Sequence, residues 1–190
     1  GAARVAAGLG ARVTLLDRLA DKLAHAEILS GARVFTRFAS PETIAACLED
    51  ADVVAGAAQI PGRHAPRLIP LDLLRRMPQG SVLVDVSIDQ GGVAETSRPT
   101  THSAPFFVAE GVVHYCVTNM PGAVPRTSTF ALNNATLPYV LALAGKGYRR
   151  ALLEDGGLRD GLNVHRGVVT CEAVAQAQRL RWLPAEQALA

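Results

Sequence analysis

The sequence predicts an α/β fold built on a doubly wound parallel sheet, followed by a C-terminal helical segment. Three observations predict it. Short β-branched runs alternate with stretches of helical spacing through the first two thirds of the chain. The run Val82-Leu83-Val84-Asp85-Val86-Ser87-Ile88-Asp89-Gln90-Gly91-Gly92 stops at acids followed by paired glycines. Buried parallel strands end this way where they deliver a carboxylate to a ligand crevice. After about residue 126 the pattern changes to helices alone. The expected division is therefore 1–126 for the sheet domain and 127–190 for the helical segment.

The elements follow in order. Gly1 leads directly into a helical run that stops at Gly8-Leu9-Gly10, where glycine tolerates left-handed dihedrals. Residues 12–16 read as a strand ending at Asp17, and 19–29 as a helix with Leu19, Leu23 and Ala26 on one face. Residues 34–38 read as the second strand. Ser40-Pro41-Glu42 is a helix start, with Ser at the N-cap and Pro at the first helical position. Its helix carries Ile44, Cys47 and Leu48 inward. A third strand is expected over 52–57, a loop over 61–66, a short helix over 71–77 and a fourth strand over 81–86. The polar stretch 90–105 precedes a fifth strand at 112–117. Helices are expected over 127–144, 148–154 and 168–180.

A helix before the first strand needs a strand before itself in this architecture. The sheet is thus expected to be Rossmann-like but without its first strand, and a G-x-G-x-x-G turn is expected to lie upstream of Gly1. The alternative is a domain that simply begins with a helix.

Composition narrows the function. The 190 residues carry a net charge of +2 and 49% hydrophobic residues, so nothing argues for nucleic acid or an anionic membrane. No apolar run is long enough to span a bilayer, and no secretory-signal pattern is seen. Cys47, Cys116 and Cys171 are odd in number and widely spaced, which fits a reducing cytoplasm rather than disulfides or zinc. The five histidines do not cluster at metal-ligand spacing, and no metal is expected.

Several residues have the chemistry of a nucleotide crevice. Asp17 stands where a doubly wound fold places an acid on the adenosine ribose, accepting from its hydroxyls and repelling a 2′-phosphate; a solvated acid at a helix start fits the spacing equally. Lys22, one turn into the next helix, is either an adenosine-side contact or a surface cation. Asp89, past the strand and beside glycines, suits a ligand-facing carboxylate, or else a turn aspartate. Asp85, inside the strand, reads as a structural acid satisfied by neighbouring backbone. Arg98, in Ser97-Arg98-Pro99-Thr100-Thr101, can fork onto an anion or hold a loop by a salt bridge. Asn119 and Met120 can bond a ribose or amide and pack under a ring, or serve as turn residue and core plug. His114 and Cys116, inside a strand, read as core residues.

These segments, with Asn119-Met120-Pro121 and the run over 127–139 that ends Leu137-Pro138-Tyr139, resemble the alanine dehydrogenase family. Its relatives include the α-subunit of nicotinamide nucleotide transhydrogenase. The long run at 127–139 favours the former. The resemblance implies a C-terminal fragment of an NAD-dependent enzyme that reversibly converts L-alanine to pyruvate and ammonia. It implies Asp89 as the catalytic aspartate beside the nicotinamide, Asp17 as the ribose acid and Lys22 as a basic adenosine-side residue. It implies cofactor contact by Val86, Ser87, Ile88 and Asp89, by Arg98, and by Val117, Thr118, Asn119 and Met120. A serine that contacts cofactor in some relatives is Ala39 here, with Ser40 beside it.

The resemblance further implies a cytoplasmic homo-oligomer, a hexamer, in L-alanine catabolism. The family's substrate-binding basic residues and catalytic histidine come from an N-terminal domain and have no counterpart here. Residues 127–190 would complete that substrate domain, and the isolated chain is expected to be inactive. Two other readings remain: a transhydrogenase α-subunit fragment, and a non-catalytic nucleotide-binding module.

Overall fold

A computed structural model describes residues 1–31 and 33–190. Contacts divide them into two compact units, one of Gly1–Ala58 with Ala65–Thr118, the other of Gln59–His64 with Asn119–Ala190.

In the first unit, α1 (Ala2–Gly8) leads to β1 (Val13–Asp17), with Gly10 at φ +91° in the turn between them. Helix α2 (Ala20–Ser30) ends on Gly31 in the left-handed region and packs on β1 and on β2 (Val34–Phe38). Of its expected inward face, Leu23 and Ala26 are half-buried, but Leu19 is exposed. Helix α3 (Pro41–Leu48) starts as the sequence dictates: the Thr43 N–H donates to Ser40 Oγ at 3.1 Å. Strand β3 (Val53–Gly56), helix α4 (Leu71–Leu74) and strand β4 (Val82–Asp85) follow.

Residues 106–109, assigned to no strand, form β5 (Phe106–Ala109), which pairs antiparallel with β6 (Val112–Tyr115). The turn is Glu110-Gly111, at φ +52° and +77°. Two central residues of positive φ match the right-handed twist of the flanking strands, which makes a tight hairpin.

Strand order sets the position of the site. β1 pairs parallel with β2 as one sheet; β3, β4, β6 and β5 form a second in that order, parallel apart from β5. β1 and β3 each have one paired edge only. Parallel strands joined by helical crossovers are the doubly wound pattern that the alternating runs predict. The core lies on one face of the second sheet, where Leu83 and Val112 pack with Leu48 of α3, Leu74 of α4, Met77, Ile69 and Val93. Leu83→Ala should cost about 2–5 kcal/mol, because the enclosed site cannot collapse around the deleted atoms. A fall in the thermal unfolding midpoint of the full-length polypeptide checks this.

The second unit opens with a 3-10 turn at Met120–Ala123 and helix α5 (Pro125–Lys146), which buries none of its residues. Helix α6 (Tyr148–Glu154) is tied to it by Lys146 Nζ on Glu154 at 2.6 Å. With Arg150 also bonded, the Glu154 carboxyl is held down at about 2. Helix α7 (Gly156–Asp160) is capped by the Asp155 carboxylate. The helix expected over 168–180 is only partly present. Val168 and Val169 form β8 (Val168–Val169), in a hairpin with β7 (Val164–His165), and α8 (Glu172–Gln178) starts later. The β-branched pair favours extended backbone, and Glu172 supplies the first-turn acid. Helix α9 (Ala185–Leu189) closes the chain.

Candidate nucleotide site

The site grows from the carboxyl end of β4. That strand alternates half-buried and buried residues, and the alternation places Leu83 and Asp85 inside, both fully buried. A buried carboxylate must be satisfied by donors. Asp85 Oδ1 accepts the Ser87 N–H at 3.1 Å. Its Oδ2 accepts the Val93 N–H at 2.8 Å and the Ser97 hydroxyl at 2.5 Å. The chain from 86 to 97 is thereby folded back over the strand end.

Glycine is required inside that fold. Gly92 has φ +81°, and a Cβ there would stand 2.6 Å from Asp85 Oδ2. Gly56 of β3 accepts Val93 against its bare Cα; a Cβ would lie 2.3 Å from Val93 Cγ2. Ser87 is buried, and its hydroxyl donates to the Ala58 carbonyl at 2.7 Å. The Val86 N–H donates to the Gly56 carbonyl at 2.8 Å. Ile88 is buried as well. Asp89 comes next, in a 3-10 turn at Ile88–Gln90, and is exposed. An anchored backbone therefore presents Asp89 outward, just beyond the end of a parallel strand.

Arg98 is held by a ring. Its guanidinium carbon lies 4.2 Å from the centroid of Phe107, which stacks on His114 at 4.8 Å. His114 is fully buried; its Nδ1 is 2.9 Å from the Val112 carbonyl and its Nε2 2.7 Å from Thr96 Oγ1. A carbonyl only accepts, so Nδ1 carries the proton and Nε2 accepts from the threonine hydroxyl. Burial pushes the Cys116 thiol up from its ordinary value, and the Asp85 charge pushes it the same way. Cys116 is a buried thiol and no nucleophile.

Asp17 ends β1, and its Oδ1 accepts the Leu19 N–H at 2.9 Å, so the carboxylate sits at the entry to α2. Lys22 lies in the first turn of α2 and is exposed. Ala39 donates its N–H to the Asp17 carbonyl at 2.9 Å, and the Ser40 hydroxyl beside it is engaged in capping α3. Val117 is fully buried and bridges to Thr100; the Thr118 N–H donates to the Thr100 carbonyl at 3.3 Å. Asn119, left-handed at φ +52°, and Met120 lie in the second unit.

Residues 1–172 match the model of the family described as alanine dehydrogenase/PNT, C-terminal domain. The chain belongs to the alanine dehydrogenase/PNT C-terminal-domain family. The chain is 52% identical to an alanine dehydrogenase of Halomonas elongata over 97% of its own length and 50% of that protein. It is 50% identical to alanine dehydrogenase 2 of Staphylococcus aureus over 99% of its length and 51% of that protein. It thus spans about half the length of these curated relatives. A solved L-alanine dehydrogenase superposes with a TM-score of 0.81 at 47% identity, covering 94% of this chain and 49% of that one. A transhydrogenase from Sinorhizobium meliloti gives 0.57 at 27% identity, covering 68% and 36%.

Within this alanine dehydrogenase/PNT domain the structure brings together residues that spacing did not connect. Ser97 stands 12 positions from the carboxylate it bonds, and Thr96 stands 18 from His114. Thr96 and Ser97 lie outside the regular elements, where neither helical nor strand period applies. The hairpin turn at Glu110-Gly111 sets Phe107 opposite His114 in register.

Proposed function

We propose that this chain is the nucleotide-binding part of an NAD-dependent alanine dehydrogenase, which interconverts L-alanine with pyruvate and ammonia. One observation carries the reading: an outward-facing Asp89 on a backbone pinned at the end of β4. The identities of 50% and 52% to proteins named alanine dehydrogenase support it over a transhydrogenase. Asp17, on the entry to α2, suits the two ribose hydroxyls of the adenosine half, with Lys22 nearby along the helix. Val86, Ser87, Ile88, Arg98, Val117 and Thr118 are the proposed cofactor contacts of the first unit, and Asn119 and Met120 are proposed contacts of the second. The fit is partial, since these 190 residues hold no G-x-G-x-x-G turn after a strand to cradle a pyrophosphate. A bound nicotinamide supplies hydride acceptance from the substrate's α-carbon. Asp89 is assigned to orient and charge-stabilise the reacting end.

Among the described residues no helix is long and apolar enough to cross a membrane. A cytoplasmic homo-oligomer, specifically a hexamer, in L-alanine breakdown completes the proposal, with residues 127–190 packing on a substrate domain.

The test is an assay of the full-length polypeptide that contains these residues, with L-alanine and either NAD or NADP. NAD should be strongly preferred. Asp17→Ala should raise the KM for NAD roughly tenfold, since a charge-assisted hydrogen bond contributes about 1.5–3 kcal/mol. It should also narrow the gap to NADP. Equal use of both cofactors by the unmodified enzyme would refute the role of Asp17, and no alanine oxidation would refute the activity.

A further inference from the structure

Asp85 is buried without a cation beside it among the salt bridges of the described residues. A buried carboxylate held only by neutral donors is costly, and replacing it with an apolar residue would spare that cost. Its three donors all come from the loop that carries Asp89, at positions 87, 93 and 97. The same loop is tied a second time where Thr96 meets His114 of β6. Two adjacent residues, Thr96 and Ser97, thus bind polar groups buried on neighbouring strands. Between positions 87 and 93 lies the 3-10 turn of Asp89.

We propose that Asp85 is a positioning residue for Asp89. Its carboxylate accepts from both sides of the turn and so fixes where the Asp89 side chain stands, with Ser97 as its hydroxyl partner. The proposal rests on the reading of Asp89 as the group beside the reacting carbon. Asp85 itself touches neither cofactor nor substrate. Both of its oxygens accept from loop donors, two backbone N–H groups and one hydroxyl. An amide of the same shape has one oxygen and one NH2, so at least one loop donor would face another donor. A catalytic group displaced by about 1 Å loses on the order of a hundredfold in rate.

The experiment uses the full-length polypeptide and three variants, Asp85→Asn, Ser97→Ala and Asp89→Asn, assayed well below their unfolding midpoints. Asp85→Asn should lower kcat at least tenfold while the KM for L-alanine changes less than threefold. Ser97→Ala should lower kcat by a smaller factor, about two- to fivefold, since the Val93 N–H still bonds. Hydrogen exchange should quicken at the amides of Ser87 and Val93 in Asp85→Asn and stay slow at Leu83 and Val113. Wild-type kcat in Asp85→Asn, with those two amides deprotected, overturns the proposal and leaves the reading of Asp89 intact. Wild-type turnover in Asp89→Asn overturns both. If Asp85→Asn does not fold, Ser97→Ala decides, and an unchanged kcat there overturns the positioning role.

Discussion

Expressed alone, these 190 residues are expected to form no NADH from L-alanine and to bind NAD no more tightly than millimolar. The reason is visible in the sheet. β1 is paired to β2 and β3 to β4, and among the described residues neither β1 nor β3 has a strand partner on its other side. A strand pairing with both would need two pairing distances between them, roughly 10 Å. None of the five residues of β1 is buried, although the centre of a doubly wound sheet is the place where burial is greatest. Two open edges of this kind template pairing with other chains. The phosphate anchor is lacking in the same chain. Two or three backbone hydrogen bonds to a pyrophosphate, at about 1.5 kcal/mol each, amount to a hundredfold or more in Kd. Alanine-dependent absorbance at 340 nm, NAD titration by calorimetry and light scattering check the three parts. Turnover, or micromolar NAD binding by a soluble monomer, would refute the account.

Most of the sheet was legible because its strands are short, β-branched and closed by an acid or glycine. The second strand has the bounds the pattern predicts, and β1 and β4 differ by a residue at the ends. The Ser40-Pro41 helix start was legible because capping is a local bond between a side chain and a backbone three residues on. Both hairpins were missed for one reason. Their turns are Glu110-Gly111 and Arg166-Gly167, each with two positive φ values. Asn and Asp are the residues that usually announce such a turn at its first position, because their short side chains tolerate left-handed backbone. Glu and Arg do not, so the strand pairs behind them, β5–β6 and β7–β8, were hidden.

The division of labour between Asp85 and Asp89 was partly legible. Period-2 alternation along β4 sends Leu83 and Asp85 to one face, and Leu83 is plainly core. An acid sharing that face has to be satisfied internally. Its partners were not legible, because they come from a loop whose path no periodicity describes. The Phe107–His114–Thr96 chain depends on the hairpin register, so missing the turn also meant missing the support beneath Arg98.

Asp89→Asn in the full-length polypeptide should reduce kcat by two orders of magnitude or more while leaving stability nearly unchanged. The two halves of that statement have separate causes. Asp89 is exposed on its turn, and the turn is held by the buried Ile88 and Ser87 and by the bonds to Asp85, none of which the substitution removes. Surface changes that spare such features usually stay within about 0.5 kcal/mol. Asn also keeps the shape and the backbone preferences of Asp. What it removes is one negative charge where, under the proposed function, positive charge would develop as hydride leaves the substrate for a nicotinamide. Loss of one preorganised electrostatic group in a water-excluded site costs about 2.7–4 kcal/mol, or 10²–10³ in rate. The KM for NAD should move less than kcat, because the proposed function puts Asp89 at the reacting end and Asp17 on the ribose. Steady-state kinetics with thermal melts separates the outcomes. Reduced turnover with an unchanged melt places Asp89 in the chemistry, whereas normal turnover makes it a turn residue beside Gly91 and Gly92 and nothing more.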